Sequence, residues 1–124
     1  MTATPFLKTW FEIMDSETPE RVLDLITDDF EMSIQFSKGE GVSAEFLGDR
    51  AGLETYLEQR EKSTLVHHLT RGARIDGVEL VLGRTTRDGE FEASFNASAQ
   101  LDEAGERCRR LLIGRTPHLE FAAS

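Results

Sequence analysis

Two adjacent histidines, His67 and His68, are the residues of this sequence whose type best suits proton transfer. They lie in VHHLTRGARIDG, a stretch that reads as a strand, and neighbouring strand residues face opposite sides. His67 shares parity with Leu65, Leu69, Ala73 and Ile75, which predicts an inward ring. His68 shares parity with Thr70, Gly72, Arg74 and Asp76, which predicts an outward one. An inward imidazole beside apolar space can act as general acid or base, because its pKa is tunable around neutrality. It can equally be a hydrogen-bonded core residue, and the pattern leaves both roles open. Arg71 falls on the same inward parity. A buried guanidinium needs an acceptor, so Arg71 either holds a carboxylate or enolate of a ligand or pairs with an acid at the sheet rim. Arg84 poses the same question on the next strand, where it shares parity with Leu80 and Leu82.

Other chemically capable residues carry less. Asp28 and Asp29 fall at a helix-strand junction, where capping and turn duty explain them. Neither histidine has the carboxylate spacing of a metal site, and two neighbours on opposite faces cannot easily share one ion, so no metal is expected. The segment KGEGVS (38–43) holds glycines but lacks the strand-loop-helix setting of a phosphate-binding loop. Cys108 stands among Arg107, Arg109 and Arg110, whose charges could lower its pKa; a buried or interface thiol is the other outcome. A lone cysteine excludes an internal disulfide and fits a reducing compartment. The start, MTATPFLKTWFE, has no basic segment followed by an apolar run, so a cytoplasmic location is expected.

The elements that position these residues come from a chain of 124 residues, the size of one domain, 1–124. Hydrophobic residues make up 39% and charged residues 30%, an ordinary globular balance. No apolar run approaches the ~20 residues that span a bilayer. The net charge is −9, concentrated in residues 1–62, where 14 acids face 6 bases. An acidic surface repels phosphate backbones, which argues against a nucleic-acid partner.

Thr4-Pro5 and Thr18-Pro19 are helix starts, a Thr N-cap followed by Pro at the first helical position. Phe6, Leu7, Trp10, Phe11 and Met14 then form one helical stripe, and Val22, Leu23, Leu25 and Ile26 the buried side of a short second helix ended by Asp28-Asp29. Phe30, Met32, Ile34 and Phe36 alternate with polar residues as a strand, and residues 44–47 read as a short extended piece. Asp49 caps a third helix with Leu53, Tyr56, Leu57 and Arg60 on one face. Asp76-Gly77 and Asp88-Gly89 are hairpin turns. With a further turn at 102–106 they divide the remainder into strands at about 64–75, 78–87, 90–101 and 106–116. Long strands joined by tight turns make an antiparallel meander that must twist and curl. The fold class is therefore α+β. On strand 90–101, Phe91, Ala93, Phe95, Ala97, Ala99 and Leu101 share one face. Small alanines on a curved inner face leave room, either for a ligand or for helix side chains such as Trp10 and Tyr56.

The order helix, helix, strand, helix and four-stranded meander resembles the nuclear transport factor 2-like superfamily, with its SnoaL-like polyketide cyclases, ketosteroid isomerases and scytalone dehydratases. The likeness covers nearly the whole chain and is carried by RVLDLITDDFEMSI, FLGDRAGLETYL and VHHLTRGARIDG. It implies a cone-shaped barrel of three N-terminal helices on a strongly curved, mostly antiparallel sheet. It also implies an apolar pocket and, often, a homodimer across the outer sheet face. The family's isomerase residues are missing. The first-strand base position matches Ile34, the acid position on the third long strand matches about Ala97, and the helix-one tyrosine matches Trp10. Many SnoaL-like members place a histidine four residues before an asparagine; here His67 is followed by Arg71.

The resemblance and the residues together suggest a cofactor-independent lyase- or isomerase-like enzyme working by dehydration, isomerisation or cyclisation on a small apolar or aromatic molecule. His67 would move the proton and Arg71 hold developing charge. Trp10, Met14, Met32, Ile34, Phe46, Leu82 and Phe95 would form the apolar wall. The alternative is a non-catalytic ligand-binding or dimerisation module of the same fold, which the missing first-strand carboxylate favours. The uncharged strip Ser94, Asn96, Ser98 and Gln100 suits the dimer contact.

Overall fold

A computed structural model describes residues 3–60 and 63–121. Helix α1 spans Pro5–Met14, a 3₁₀ helix spans Pro19–Leu25, and α2 spans Arg50–Gln59. The strands are β1 (Ile26–Gly39), β2 (Val42–Gly48), β3 (Val66–Ile75), β4 (Val78–Arg87), β5 (Glu90–Leu101) and β6 (Cys108–Thr116). They form one curved sheet in the order β2-β1-β6-β5-β4-β3. Every pairing is antiparallel except that of β1 with β6, which is parallel. No helix among the described residues is long and apolar enough to cross a membrane.

The expected turns form for the expected reason. Asp76-Gly77 (φ 51° and 79°) and Asp88-Gly89 (φ 55° and 80°) occupy the left-handed region at both central positions, which suits the strand twist. Glu40-Gly41 does the same inside KGEGVS, so the short extended piece lengthens into β2. The second helix is 3₁₀ and stops at Leu25. Ile26, Asp28 and Asp29 belong to β1 instead, in a bulge of the β1-β6 register between Ile26 and Glu31. Asp29 accepts a hydrogen bond from the Thr27 hydroxyl and faces Arg109 at 3.2 Å.

The predicted stripe of α1 is buried along its whole length. It packs on Phe30, Met32 and Ile34 of β1, Val81 of β4, Phe95, Ala97, Ala99 and Leu101 of β5, and Leu111 of β6. The alanines make room for this helix. Ala99 pairs with Glu79 of β4, and Glu79 reaches the start of α1.

Glu79 is fully buried. Its Oε2 accepts from the Phe6 N–H at 3.0 Å and its Oε1 from the Leu7 N–H at 2.8 Å. The Thr4 side chain makes no cap bond, so a sheet carboxylate does the work of the N-cap. A negative group is also favoured at the positive end of the helix dipole. Replacing Glu79 with Ala strips both N–H groups of their acceptors. Denaturant melts are expected to show a loss of about 1–3 kcal/mol, the usual cost of an unsatisfied buried polar group. A variant as stable as the parent would mean that α1 has other acceptors.

Candidate functional site

His67 sits on β3, an edge strand whose outward backbone N–H groups have no strand partner among the described residues. Asp15, the C-cap residue of α1, supplies one. Its Oδ2 accepts from the His67 backbone N–H at 2.7 Å, and its Oδ1 lies 2.7 Å from His67 Nδ1. A carboxylate can only accept, so Nδ1 carries the proton and Nε2 carries the lone pair. An acid at a helix C-terminus works against the helix dipole. The two bonds to His67 offset that cost and pin α1 to the sheet edge.

The ring of His67 stacks on Phe11, with centroids 4.6 Å apart and planes 23° apart. It meets Phe95 edge-on at 5.3 Å and 79°. Phe95 can lie there because its β4 partner is Gly83, where a Cβ would stand 2.5 Å from Phe95 Cζ. The side chain of His67 is 11% exposed. Its Nε2 has no partner among the described residues, yet no side-chain nitrogen or oxygen there is both sealed and unpartnered. Nε2 therefore opens to free space. Burial pushes the His67 pKa below its ordinary 6.5; the Asp15 hydrogen bond and charge oppose this, and the Arg60 and Arg115 charges add to it.

His67 lines a cavity of about 250 Å³ between the helices and the inner sheet face, and also borders a second hollow with Lys8, Glu12 and Val66. The apolar wall of the cavity comes from Trp10, Phe11 and Met14 of α1, Ile34 and Phe36 of β1, Phe46 of β2, Leu53 of α2, Phe95 of β5 and Ile113 of β6. Its polar groups are His67, Tyr56, Gln59, Arg60 and Arg115. Arg60, the C-cap of α2, approaches Asp15 Oδ1 at 3.8 Å. Arg115 is held by Glu92 Oε1 at 2.8 Å. Glu92 turns to this side because the β4-β5 register shifts between Thr85 and Thr86.

Most of the expected wall is brought together here: Trp10, Met14, Ile34, Phe46 and Phe95 all line the cavity. Met32 is buried but lies off it, at Gly52 of α2. Leu82 is corrected outright. It pairs with Asn96, an exposed residue of β5, and lines an outer-face groove. Leu80 and Arg84 share that outer face, where Arg84 lies over the Phe91 ring at 5.7 Å and near Glu120 at 3.7 Å. In VELVL the acid Glu79 sits on the opposite parity to Leu80 and Leu82, but Glu79 is itself buried and the register with β5 puts the two leucines outside.

Arg71 is corrected as well. The β3-β4 register slips between Leu69 and Arg71, so Thr70 is an extra residue and the parity inverts beyond it. Gly72 turns inward against Thr4, while Arg71 is exposed on the outer face and donates to the Thr70 carbonyl. His68 points outward as expected, 2.9 Å from the Thr86 hydroxyl. Cys108 is buried and its thiol is pushed up to about 12 by desolvation, so the neighbouring arginines do not activate it. Asp15, Arg60 and Arg115 were missed as site residues. The partner of His67 lies 52 positions away, with no local pattern to announce it.

No family model matches the chain, and no curated protein matches it in sequence. Solved structures do. A proposed isomerase of the SnoaL-like family from Agrobacterium tumefaciens superposes with a TM-score of 0.68 at 15% identity, covering 91% of this chain and 96% of its own. A proposed ketosteroid isomerase from Kribbella flavida gives 0.67 at 13% identity, covering 95% and 80%. An NTF2-like protein of unknown function from Cytophaga hutchinsonii gives 0.59 at 12% identity, covering 94% and 92%. The chain has the nuclear transport factor 2-like fold.

A histidine held neutral by burial links folding to pH. With the folded pKa below 6.5, the unfolded state binds the proton more readily, so this stability is present above about pH 6.5. It is lost as the pH falls through the folded value. Melting temperature is expected to drop between pH 6.5 and about 5, before most carboxylates titrate, and the drop should flatten in His67→Gln. An unchanged slope in that variant would assign the transition elsewhere.

Proposed function

We propose that the protein is a cofactor-independent acid-base enzyme of SnoaL-like type, a dehydratase, isomerase or cyclase acting on a small, largely apolar molecule. One observation carries this reading: His67, its Nδ1 held by Asp15 and its Nε2 without a partner among the described residues, lines an aromatic cavity. A core histidine would have both nitrogens satisfied.

The chemistry follows from the geometry. Nε2 takes a proton from a carbon beside a carbonyl, and the C–H electron pair moves into the adjacent carbon-carbon bond to give an enolate. The enolate oxygen is met by a cavity donor, Arg60 or the Tyr56 hydroxyl, in the role the sequence pattern assigned to Arg71. The protonated Nε2 then returns its proton to a departing hydroxide, to a second carbon, or to the alkoxide of a new carbon-carbon bond. These endings correspond to dehydration, isomerisation and aldol-type cyclisation. The Asp15 carboxylate stabilises the transient imidazolium.

The test is deuterium uptake in D₂O at the carbon beside the carbonyl of an aromatic ketone such as 2-tetralone. The parent should accelerate uptake over buffer, and His67→Gln should lose roughly two to four orders of magnitude of that acceleration while staying folded. A ketone that binds without accelerated exchange would favour the non-catalytic binding module.

We further propose a cytoplasmic homodimer of cone-shaped protomers. Leu80, Ser98 and Leu112 stand in cross-strand register on the outer face, and both leucines are exposed. Together with Asn96 and Gln100 they make a face suited to sheet-on-sheet contact. Light scattering at tens of micromolar, roughly the working range of a modest interface, should give twice the chain mass. Leu112→Arg should restore the monomer mass, and a monomeric parent would remove the dimer.

A further inference from the structure

The cavity wall is sorted by charge. None of its lining residues is an Asp or Glu, while two of them, Arg60 and Arg115, are cations. The acids of this region, Asp15 and Glu92, stand behind the wall, where they hold His67 and Arg115. Arg60 is the less committed of the two cations. Its side chain is only 17% exposed, and it makes no side-chain hydrogen bond among the described residues. Its one ion contact is the 3.8 Å approach to Asp15, too long for a hydrogen bond. A largely buried guanidinium with idle donors is poised for an acceptor that arrives with a ligand.

We propose that the cavity takes an organic anion: a one- or two-ring apolar body bearing a carboxylate, seated with its charge on Arg60 and Arg115. This rests on the cavity being the ligand site and goes further by naming the class of ligand. The size follows from the volume. At about 250 Å³ the cavity has room for a body of one or two rings. The selection is local. The chain carries a net charge of −9, so its overall field does not attract anions, and discrimination must come from donors inside the cavity. Arg115 is pre-oriented by Glu92, and Arg60 stands at the helix end where a cation is favoured.

Trp10 lines the cavity and is the chain's single tryptophan, so its indole N–H gives one resonance that reports occupancy. That resonance is titrated with 2-naphthoate, 2-naphthamide and 2-naphthylmethylamine. The naphthoate is expected to bind at least tenfold more tightly than the amide, and the amine more weakly still. Arg60→Met should erase the preference for naphthoate over naphthamide, and Arg60→Lys should keep most of it, with melting curves confirming that both variants fold. Equal binding of naphthoate and naphthamide overturns the anion assignment but leaves the cavity as a ligand site. An unchanged preference in Arg60→Met overturns it too, by removing Arg60 as the anchor. An indole resonance unmoved by all three probes overturns the assignment together with the reading of the cavity as a ligand site.

Discussion

The first two bonded N–H groups of α1 end on a carboxylate from β4, the strand next to the sheet edge. Glu79 is buried without exposure, and its bonds to Phe6 and Leu7 set where the helix starts along β4. Everything further along α1 inherits that placement. Trp10 and Phe11 fall over the inner face beside Phe30 and Phe95. Asp15 arrives nine residues after Phe6, roughly 13 Å along the axis, beside His67 on the neighbouring edge strand. The helix is thus tied to the sheet by an acid at each end. One tie is a cap supplied by the sheet. The other is a carboxylate the helix supplies to the sheet, and it is also the group that sets the tautomer of His67.

That double use explains why the candidate site was only partly legible. The alternation of β5, the stripe of α1 and the Asp-Gly turns are local patterns, and they lead directly to the α+β meander with Trp10, Met14, Ile34, Phe46 and Phe95 inside it. The parity of His67 also held, because Leu65, His67 and Leu69 precede the irregularity in β3. Arg71 follows it. A single extra residue at Thr70 reverses every later side chain of the strand, and nothing in LTRGA marks that residue as unpaired. Leu82 fails for a different reason. In VELVL the acid is the buried residue: Glu79 turns inward to α1, so Leu80 and Leu82 face out, Leu82 beside Asn96. The small residues of β5 misled in a third way, since space on the sheet belongs to whichever element reaches it first. Opposite Glu79 that element is α1.

His67 illustrates how a polar group survives in an aromatic setting. Phe11 and Phe95 take its two accessible aspects, one face-on and one edge-on, and both remove water. Desolvation disfavours the imidazolium, while Asp15 favours it; the balance falls to the neutral ring. A base that is neutral at rest can accept a proton, and the carboxylate behind it limits the penalty once it has done so. Gly83 matters here without touching the histidine. Any side chain there would push Phe95 off its seat.

Charge is layered through this end of the molecule. Innermost are the aromatic and aliphatic walls, next the polar groups of Tyr56, Gln59, Arg60, His67 and Arg115, and behind them Asp15 and Glu92. Reversing the layers would place carboxylates against an apolar space, where they would need either a cation or a proton. Facing the guanidiniums inward lets each acid keep its partner while the spare donors point at the cavity. Arg115 meets its acid at 2.8 Å and Arg60 at 3.8 Å, so the two cations are not equivalent. The tightly held one is a fixed element of the wall. The loosely held one can move toward an incoming acceptor while leaving little behind, because Asp15 is already satisfied twice by His67.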